Sequence, residues 1–110
     1  MHPLQMRPPA QTLRWVERTV GRGARVVGWR RLTGGITSSV HRLAVERNGR
    51  RAHHVLRRWV PQAEHAGDAA RAVVSEAAVL AALERSDVPA PRVLGSTTDA
   101  AHAGPALLMT

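Results

Sequence analysis

The sequence predicts an α+β fold: a five-stranded antiparallel sheet with one main helix packed on it and a short helix before it. Three observations carry this prediction. Two runs of strand-forming residues flank Asn48-Gly49, a strong signal for a two-residue hairpin. A long stretch of good helix formers follows at residues 68–86. A hydrophobic content of 44%, with only three aromatic residues in a chain of 110, supports one small domain with an aliphatic core.

The N-terminal part is predicted to hold a tail, a short helix and a first strand. Residues 1–10 include three prolines and are predicted to be a disordered tail. Apolar residues recur at helical spacing over residues 12–20, with Thr12 as the expected N-cap and Gly21 just beyond the last turn. Residues 26–32 are rich in β-branched and aromatic types and predict an extended strand.

The second and third strands are predicted to pair as a hairpin. Residues 40–47 alternate between apolar and polar side chains, as a half-buried strand does. Residues 51–60 form the next run, which Pro61 ends.

The remainder of the chain is predicted to add the main helix and two more strands. After the helix at residues 68–86, Pro89 and Pro91 break the helical pattern. Residues 92–95 then predict a short strand, residues 96–104 a polar loop, and residues 105–110 a final apolar strand. Because no turn or cap follows that last strand, we expect the chain to be cut inside an element.

The first candidate site is the glycine-rich loop between the first two strands. Gly34 and Gly35 allow the backbone to approach a ligand closely. The hydroxyls of Thr37, Ser38 and Ser39, with neighbouring N–H groups, have the chemistry to bind phosphate oxygens. The alternative is an ordinary hairpin loop, because the two common glycine-rich phosphate-binding patterns are not present.

The second candidate site is an ion pair between the third strand and the main helix. Arg57 and Arg58 point to opposite faces of their strand, so one of them must lie on an apolar face and needs a carboxylate or a phosphate. The alternative is an edge strand whose arginine extends to water. Glu76 lies on the apolar stripe of the helix, or else at its exposed rim. An Arg57–Glu76 pair would satisfy both charges.

The order of these features resembles the N-terminal lobe of the aminoglycoside phosphotransferase and choline kinase family, which has a protein-kinase-like fold. The resemblance is carried by five segments in the right order. Residues 32–43 are similar to the family's nucleotide-covering loop, 55–58 to its third strand, 76–83 to its helix, 88–95 to a frequent family stretch, and 104–110 to its fifth strand and hinge. Residues 11–110 would form this lobe.

The resemblance implies an enzyme that transfers a phosphoryl group from ATP, with Mg²⁺, to a hydroxyl of a small molecule. The loop from Gly34 to Ser39 would cover the phosphates, although Ser38 stands where the family often has Asn. Arg57 would contact the α- and β-phosphates and Glu76 would orient it. Met109 would sit at the back of the adenine pocket, and the carbonyl of Thr110 would begin the hinge contacts.

The family's catalytic Asp, its metal-binding residues and its acceptor pocket belong to a C-terminal lobe. The pattern H-x-D-x-x-x-x-N, which carries the catalytic Asp, does not occur in this sequence. We therefore expect a fragment that ends at the hinge, holds no metal ligands and is inactive alone.

Composition bounds the remaining alternatives. Sixteen arginines, no lysine and eight acidic residues give a net charge of +8, but the arginines are scattered along the chain. A small nucleic-acid-binding module that stacks bases on Trp29 or Trp59 is the main rival, but the scattered arginines argue against a nucleic-acid partner. A second rival is a poorly folded remnant that exposes Leu107, Leu108 and Met109. The lack of cysteine and of any membrane-spanning or signal-type apolar run predicts a cytoplasmic protein without a membrane partner.

Overall fold

The computed structural model describes residues 7–34, 38–59, 66–98 and 105–110, and it has the predicted α+β architecture. Two helices and a five-stranded sheet make up this part of the chain. The elements, in chain order, are α1 (Ala10–Val20), β1 (Arg25–Gly34), β2 (Ser38–Arg47), β3 (Arg50–Trp59), α2 (Ala66–Glu84), β4 (Val93–Thr97) and β5 (Ala106–Met109).

The sheet is antiparallel throughout, and its strand order is β1-β2-β3-β5-β4. The fifth strand therefore lies between the third and the fourth. This order places β3 in the interior of the sheet, with β2 on one side and β5 on the other. The alternative of an edge strand for the two adjacent arginines is thus wrong.

The first helix begins two residues earlier than predicted, and Thr12 is not its N-cap. Pro9 occupies the N-cap position, where its carbonyl accepts a 3.0 Å hydrogen bond from the N–H of Leu13. Thr12 lies inside the helix, on its buried side. Of the predicted tail, residues 1–6 lie outside the described residues, whereas Pro8 is fully buried. The helix ends as predicted at Gly21, whose φ of 141° takes the chain out of the helical path.

The hairpin of β2 and β3 forms as the sequence predicts. Asn48 and Gly49 both have positive φ, 54° and 76°, which is the backbone of a type I′ turn. The strands on either side pair without a register shift over their full lengths. The alternation of β2 is also confirmed, because His41, Leu43 and Val45 are buried on one face.

Each face of the sheet is covered by a different helix, and we name the two faces after these helices. On the α1 face, the hydrophobic core consists of Leu13, Trp15, Val16, Ala24, Leu43, Val45, Leu56, Ala106 and Leu108. On the α2 face, it consists of Trp59, Val73, Leu107 and Met109, with partly buried Val55, Ala69, Ala72, Ala77, Leu80 and Val93 around them. The expectation that Leu107, Leu108 and Met109 lie exposed is wrong, since all three are buried between the two helices.

A glycine lets α1 pack closely on its face of the sheet. A Cβ at Gly95 would lie 2.6 Å from Cγ2 of Thr19, far inside van der Waals contact. The missing side chain of Gly95 therefore allows the end of α1 to rest directly on β4.

Candidate functional site

The structure brings Arg57 and Glu76 into direct contact. Nη1 of Arg57 donates a 2.7 Å hydrogen bond to Oε1 of Glu76, across the interface between β3 and α2. Alternation along β3 points Arg57 to the α2 face, and the apolar stripe of α2 that contains Val73 and Leu80 carries Glu76 to the same place. About a third of each side chain is exposed, at 35% for Arg57 and 28% for Glu76.

A tryptophan holds the same guanidinium from a second side. The Cζ atom of Arg57 lies 4.9 Å from the centroid of the Trp59 ring, a cation–π distance. Trp59 is two residues further along β3, so strand alternation places both side chains on the α2 face. The guanidinium is therefore fixed by a carboxylate and a ring, while part of its surface stays open to a ligand.

The chemistry of this pair is binding rather than proton transfer. A guanidinium offers several hydrogen-bond donors and no acceptor, so Arg57 contributes ion pairing and hydrogen bonds to this pair. Its planar array of donors matches the oxygens of a phosphate or a carboxylate. Glu76 takes one donor, and Nε of Arg57 is buried without a hydrogen-bond partner among the described residues, so the remaining exposed donors are the ones open to a second anion.

The predicted hinge residues lie on the strand next to Arg57. In β5, Leu107 pairs with Arg57 and Met109 pairs with Val55. Met109 is buried in the core of the α2 face. Thr110 follows β5 and is exposed; its N–H donates to the carbonyl of Arg92 at 2.9 Å and its Oγ1 accepts from the N–H of Arg92 at 3.0 Å.

The glycine-rich segment is only partly described. Gly35 and Thr37 lie outside the described residues. Gly34 and Ser39 are paired residues of β1 and β2, and Ser38 pairs with Trp59 of β3. Ser38 and Ser39 therefore belong to a strand that begins two residues before its predicted start.

The two serines point to different faces of the sheet. Ser38 shares the α2 face with its cross-strand partner Trp59, and hence with Arg57. Ser39 is fully buried on the α1 face, opposite Arg58. The hydroxyl of Ser39 is thus separated from Arg57 by the sheet itself.

Arg58 is the polar residue that sequence reasoning left unresolved. It is only 4% exposed on the α1 face, and within the described part of the chain its Nε and Nη2 have no hydrogen-bond partner. Burial lowers the pKa of Arg58, because a low-dielectric surrounding disfavours the charged form. Sequence reasoning required only one of the two arginines to be buried, because it did not foresee a helix on each face.

Trp59 was missed as a partner of Arg57, although its position two residues after Arg57 on the same strand was a usable signal. Its burial also bears on the nucleic-acid alternative. Trp59 is 9% exposed and covers the arginine, whereas Trp29 is 43% exposed and lies against His41, with their ring centroids 5.7 Å apart. Of the two rings considered for base stacking, Trp59 is thus already engaged within the fold.

Over residues 7–34, 38–59, 66–98 and 105–110, no group of three or more potential side-chain ligands could hold a metal ion. Neither helix of this part combines the length and apolarity needed to cross a membrane.

Comparison of the chain with protein-family models, with curated proteins and with solved structures found no match in any of the three. The family resemblance therefore rests on the sequence motifs quoted above.

Proposed function

We propose that this chain is the nucleotide-binding half of an ATP-dependent small-molecule phosphotransferase of the aminoglycoside phosphotransferase and choline kinase type. The observation that carries the proposal is the 2.7 Å contact between Arg57 and Glu76 on the α2 face. A cation on an interior strand that is oriented by a carboxylate on the packed helix is the arrangement by which kinase-like folds hold the phosphates of ATP.

The neighbouring strands support this assignment. Arg57 is flanked by β2, which follows the glycine-rich segment, and by β5, which carries Met109 and leads to Thr110. A nucleotide along this face would meet the backbone of Gly34 and Ser38 and the guanidinium of Arg57 with its phosphates. Its adenine would lie towards Met109 and the carbonyl of Thr110.

The reaction itself requires groups from a second lobe. Transfer of a phosphoryl group to a hydroxyl needs a base or positioning carboxylate near the acceptor and ligands for Mg²⁺. In this proposal a second lobe supplies those groups and the acceptor pocket, and the present chain binds nucleotide without turnover.

The test is a titration of the chain with ATP and Mg²⁺, in which isothermal calorimetry measures the binding affinity. Loss of a charge-assisted contact of about 1.5–3 kcal/mol corresponds to a loss of affinity of roughly tenfold or more. We expect Arg57→Ala to weaken binding by at least that factor, and Glu76→Gln to weaken it less because the arginine stays but is no longer oriented.

The matched control is a second arginine–glutamate pair in the same sheet. Nη2 of Arg51 lies 2.8 Å from Oε2 of Glu46, and both side chains are largely exposed. Arg51→Ala removes the same charge and should leave nucleotide affinity unchanged within about twofold at moderate salt, since exposed charges are screened. Equal losses for Arg51→Ala and Arg57→Ala, or unaltered binding by Arg57→Ala, would contradict the proposal.

A further inference from the structure

A depression of about 460 Å³ lies beside α1, on the opposite side of the sheet from Arg57. Its walls are one side of α1 and the turn that joins α1 to β1. Three arginines and one glutamate line it, namely Arg14, Arg18, Arg22 and Glu17, together with small residues of the turn. A volume of this size is in the range of small-molecule sites.

The sequence builds this depression through the helix period and the turn. Leu13 and Val16 bury one side of α1, which leaves Arg14 and Arg18, one helical turn apart, on the outer side. The chain then turns back at Gly21, whose carbonyl accepts a 3.1 Å hydrogen bond from the N–H of Ala24. This turn brings Arg22 into the lining of the depression.

Glu17 lines the depression, and its carboxylate is already engaged in a hydrogen bond within the fold. Its Oε2 accepts a 2.8 Å hydrogen bond from the N–H of Val26, which ties the beginning of β1 to α1. The carboxylate is part of the frame and offsets one of the three positive charges.

The three arginines differ from the arginines that stabilise the fold. Arg47, Arg57 and Arg92 each donate to a carbonyl or a carboxylate. By contrast, no side-chain hydrogen bond or ion pair joins any of the arginines of the depression to the residues described here. Like charges one turn apart on a helix destabilise it by a few tenths of a kcal/mol, and a bound anion relieves that repulsion.

We infer that this depression binds a small ligand that carries two or more adjacent phosphate groups. Three guanidinium groups against one engaged carboxylate leave two positive charges in excess, which matches a ligand of at least two negative charges. Guanidinium groups bind phosphate oxygens in a fixed, bidentate geometry. None of the residues that line the depression is aromatic, so the site offers contacts to phosphates and no stacking surface for bases.

This site is independent of the proposed nucleotide site. It lies on α1 and its turn, whereas Arg57 and Glu76 lie on the α2 face. Loss of either site therefore leaves the other intact, and the two can be separated by mutation.

The test uses tripolyphosphate as the probe, in calorimetric titrations at low and at high salt. We expect the double variant Arg14→Gln/Arg18→Gln to bind at least tenfold more weakly than the wild type. Glutamine keeps the helix propensity of arginine, so α1 is preserved, which circular dichroism verifies. The matched control is Arg50→Gln/Arg85→Gln, which removes the same charge from two exposed positions outside the depression and should change affinity less than threefold.

Two further arms make the result specific. In an Arg57→Ala background, which removes the proposed nucleotide contact, Arg14→Gln/Arg18→Gln should still weaken tripolyphosphate binding at least tenfold, and this loss would then belong to the α1 depression. A single-stranded oligonucleotide of 12 residues should bind no more tightly than tripolyphosphate. Four results overturn the inference. Tripolyphosphate does not bind at low salt, or the two double variants lose equal affinity for it. Alternatively, only Arg57→Ala loses affinity, or the chain binds the oligonucleotide and not tripolyphosphate.

Discussion

Nη1 of Arg57 and Oε1 of Glu76 lie 2.7 Å apart and join the interior strand β3 to the helix α2. The pair is neither fully buried nor fully exposed, with about a third of each side chain open to solvent. It therefore keeps a Coulomb attraction stronger than that of a surface pair without the full desolvation cost of a buried one. In the proposed nucleotide site, this balance would hold the charge of Arg57 in place and keep it accessible to a phosphate.

The strength of this contact is measurable by a double-mutant cycle. We expect a coupling energy of about 1 kcal/mol between Arg57→Ala and Glu76→Ala in urea unfolding. The exposed pair of Arg51 and Glu46 should couple by less, about 0.5 kcal/mol or below, because solvent screens it. If the two cycles give the same coupling energy, the partly buried position of Arg57 has no energetic effect.

Replacement of Arg58 by an apolar residue should change the free energy of unfolding in the opposite direction to the same replacement of Arg57. Its guanidinium is buried on the α1 face with two nitrogens that lack partners among the described residues. Because an unpaired buried charge costs free energy, Arg58→Met should raise the free energy of unfolding by about 1 kcal/mol or more. Arg57→Met should lower it by about 1 kcal/mol, since it leaves Glu76 without its donor. Destabilisation by Arg58→Met would mean that an anion compensates Arg58 in solution.

We expect any substitution of Gly21 that adds a side chain to destabilise the fold. Its φ is 141°, and a Cβ there would lie 2.6 Å from Nη1 of Arg47, which itself donates to the carbonyl of Val20 at 3.3 Å. The flexible end of Arg47 can move away, so the cost comes mainly from the positive φ, and Gly21→Ala should reduce the free energy of unfolding by about 1–3 kcal/mol. Gly28→Ala is the control, because the nearest atom to its added Cβ is 3.7 Å away and the change should cost less than about 1 kcal/mol. Similar losses in both variants would contradict this explanation.

Stability should decrease on mild acidification through His54. Burial, and to a lesser degree repulsion from His53, lower the pKa of His54 in the folded protein below its usual 6.5. The folded state thus prefers the neutral imidazole, while the unfolded state binds its proton near pH 6.5. The contribution of neutral His54 to the free energy of unfolding is complete above pH 6.5, and it is lost as the pH falls through the lower pKa of the folded state.

The measurement for His54 is the free energy of unfolding as a function of pH. His54→Gln should flatten the decline below about pH 6.5, because the group responsible no longer titrates. His53→Gln should keep most of the decline, since it removes only the smaller cause of the pKa shift. An unchanged slope in His54→Gln would assign the decline to other groups.

The sequence was sufficient for those features that depend on neighbours along the chain. Asn48-Gly49 specified the turn, because Asn and Gly tolerate the positive φ of a type I′ hairpin. Alternation in β2 and the helical stripe around Val73 gave the buried faces correctly. The Arg57–Glu76 pair was also predictable, since an apolar position that holds a charge requires an opposite charge nearby.

The features that were missed depend on distant parts of the chain. No local pattern indicates that β5 inserts beside β3. The position of Arg58 on an interior strand, and its burial on the α1 face, were therefore not predictable. The start of α1 was missed because Pro9 lacks a capping side chain, while Thr12 has one and instead faces the core.

The position of β5 also determines when the sheet can be completed during folding. The meander of β1, β2 and β3 is closed by contacts between consecutive segments, which form quickly because little chain entropy is lost. In the part of the chain that the structure describes, β4 pairs only with β5, and β5 bridges it to β3. On a ribosome, β4 therefore emerges before its partner strand, and it can join the sheet only when the residues from Ala106 to Met109 are present.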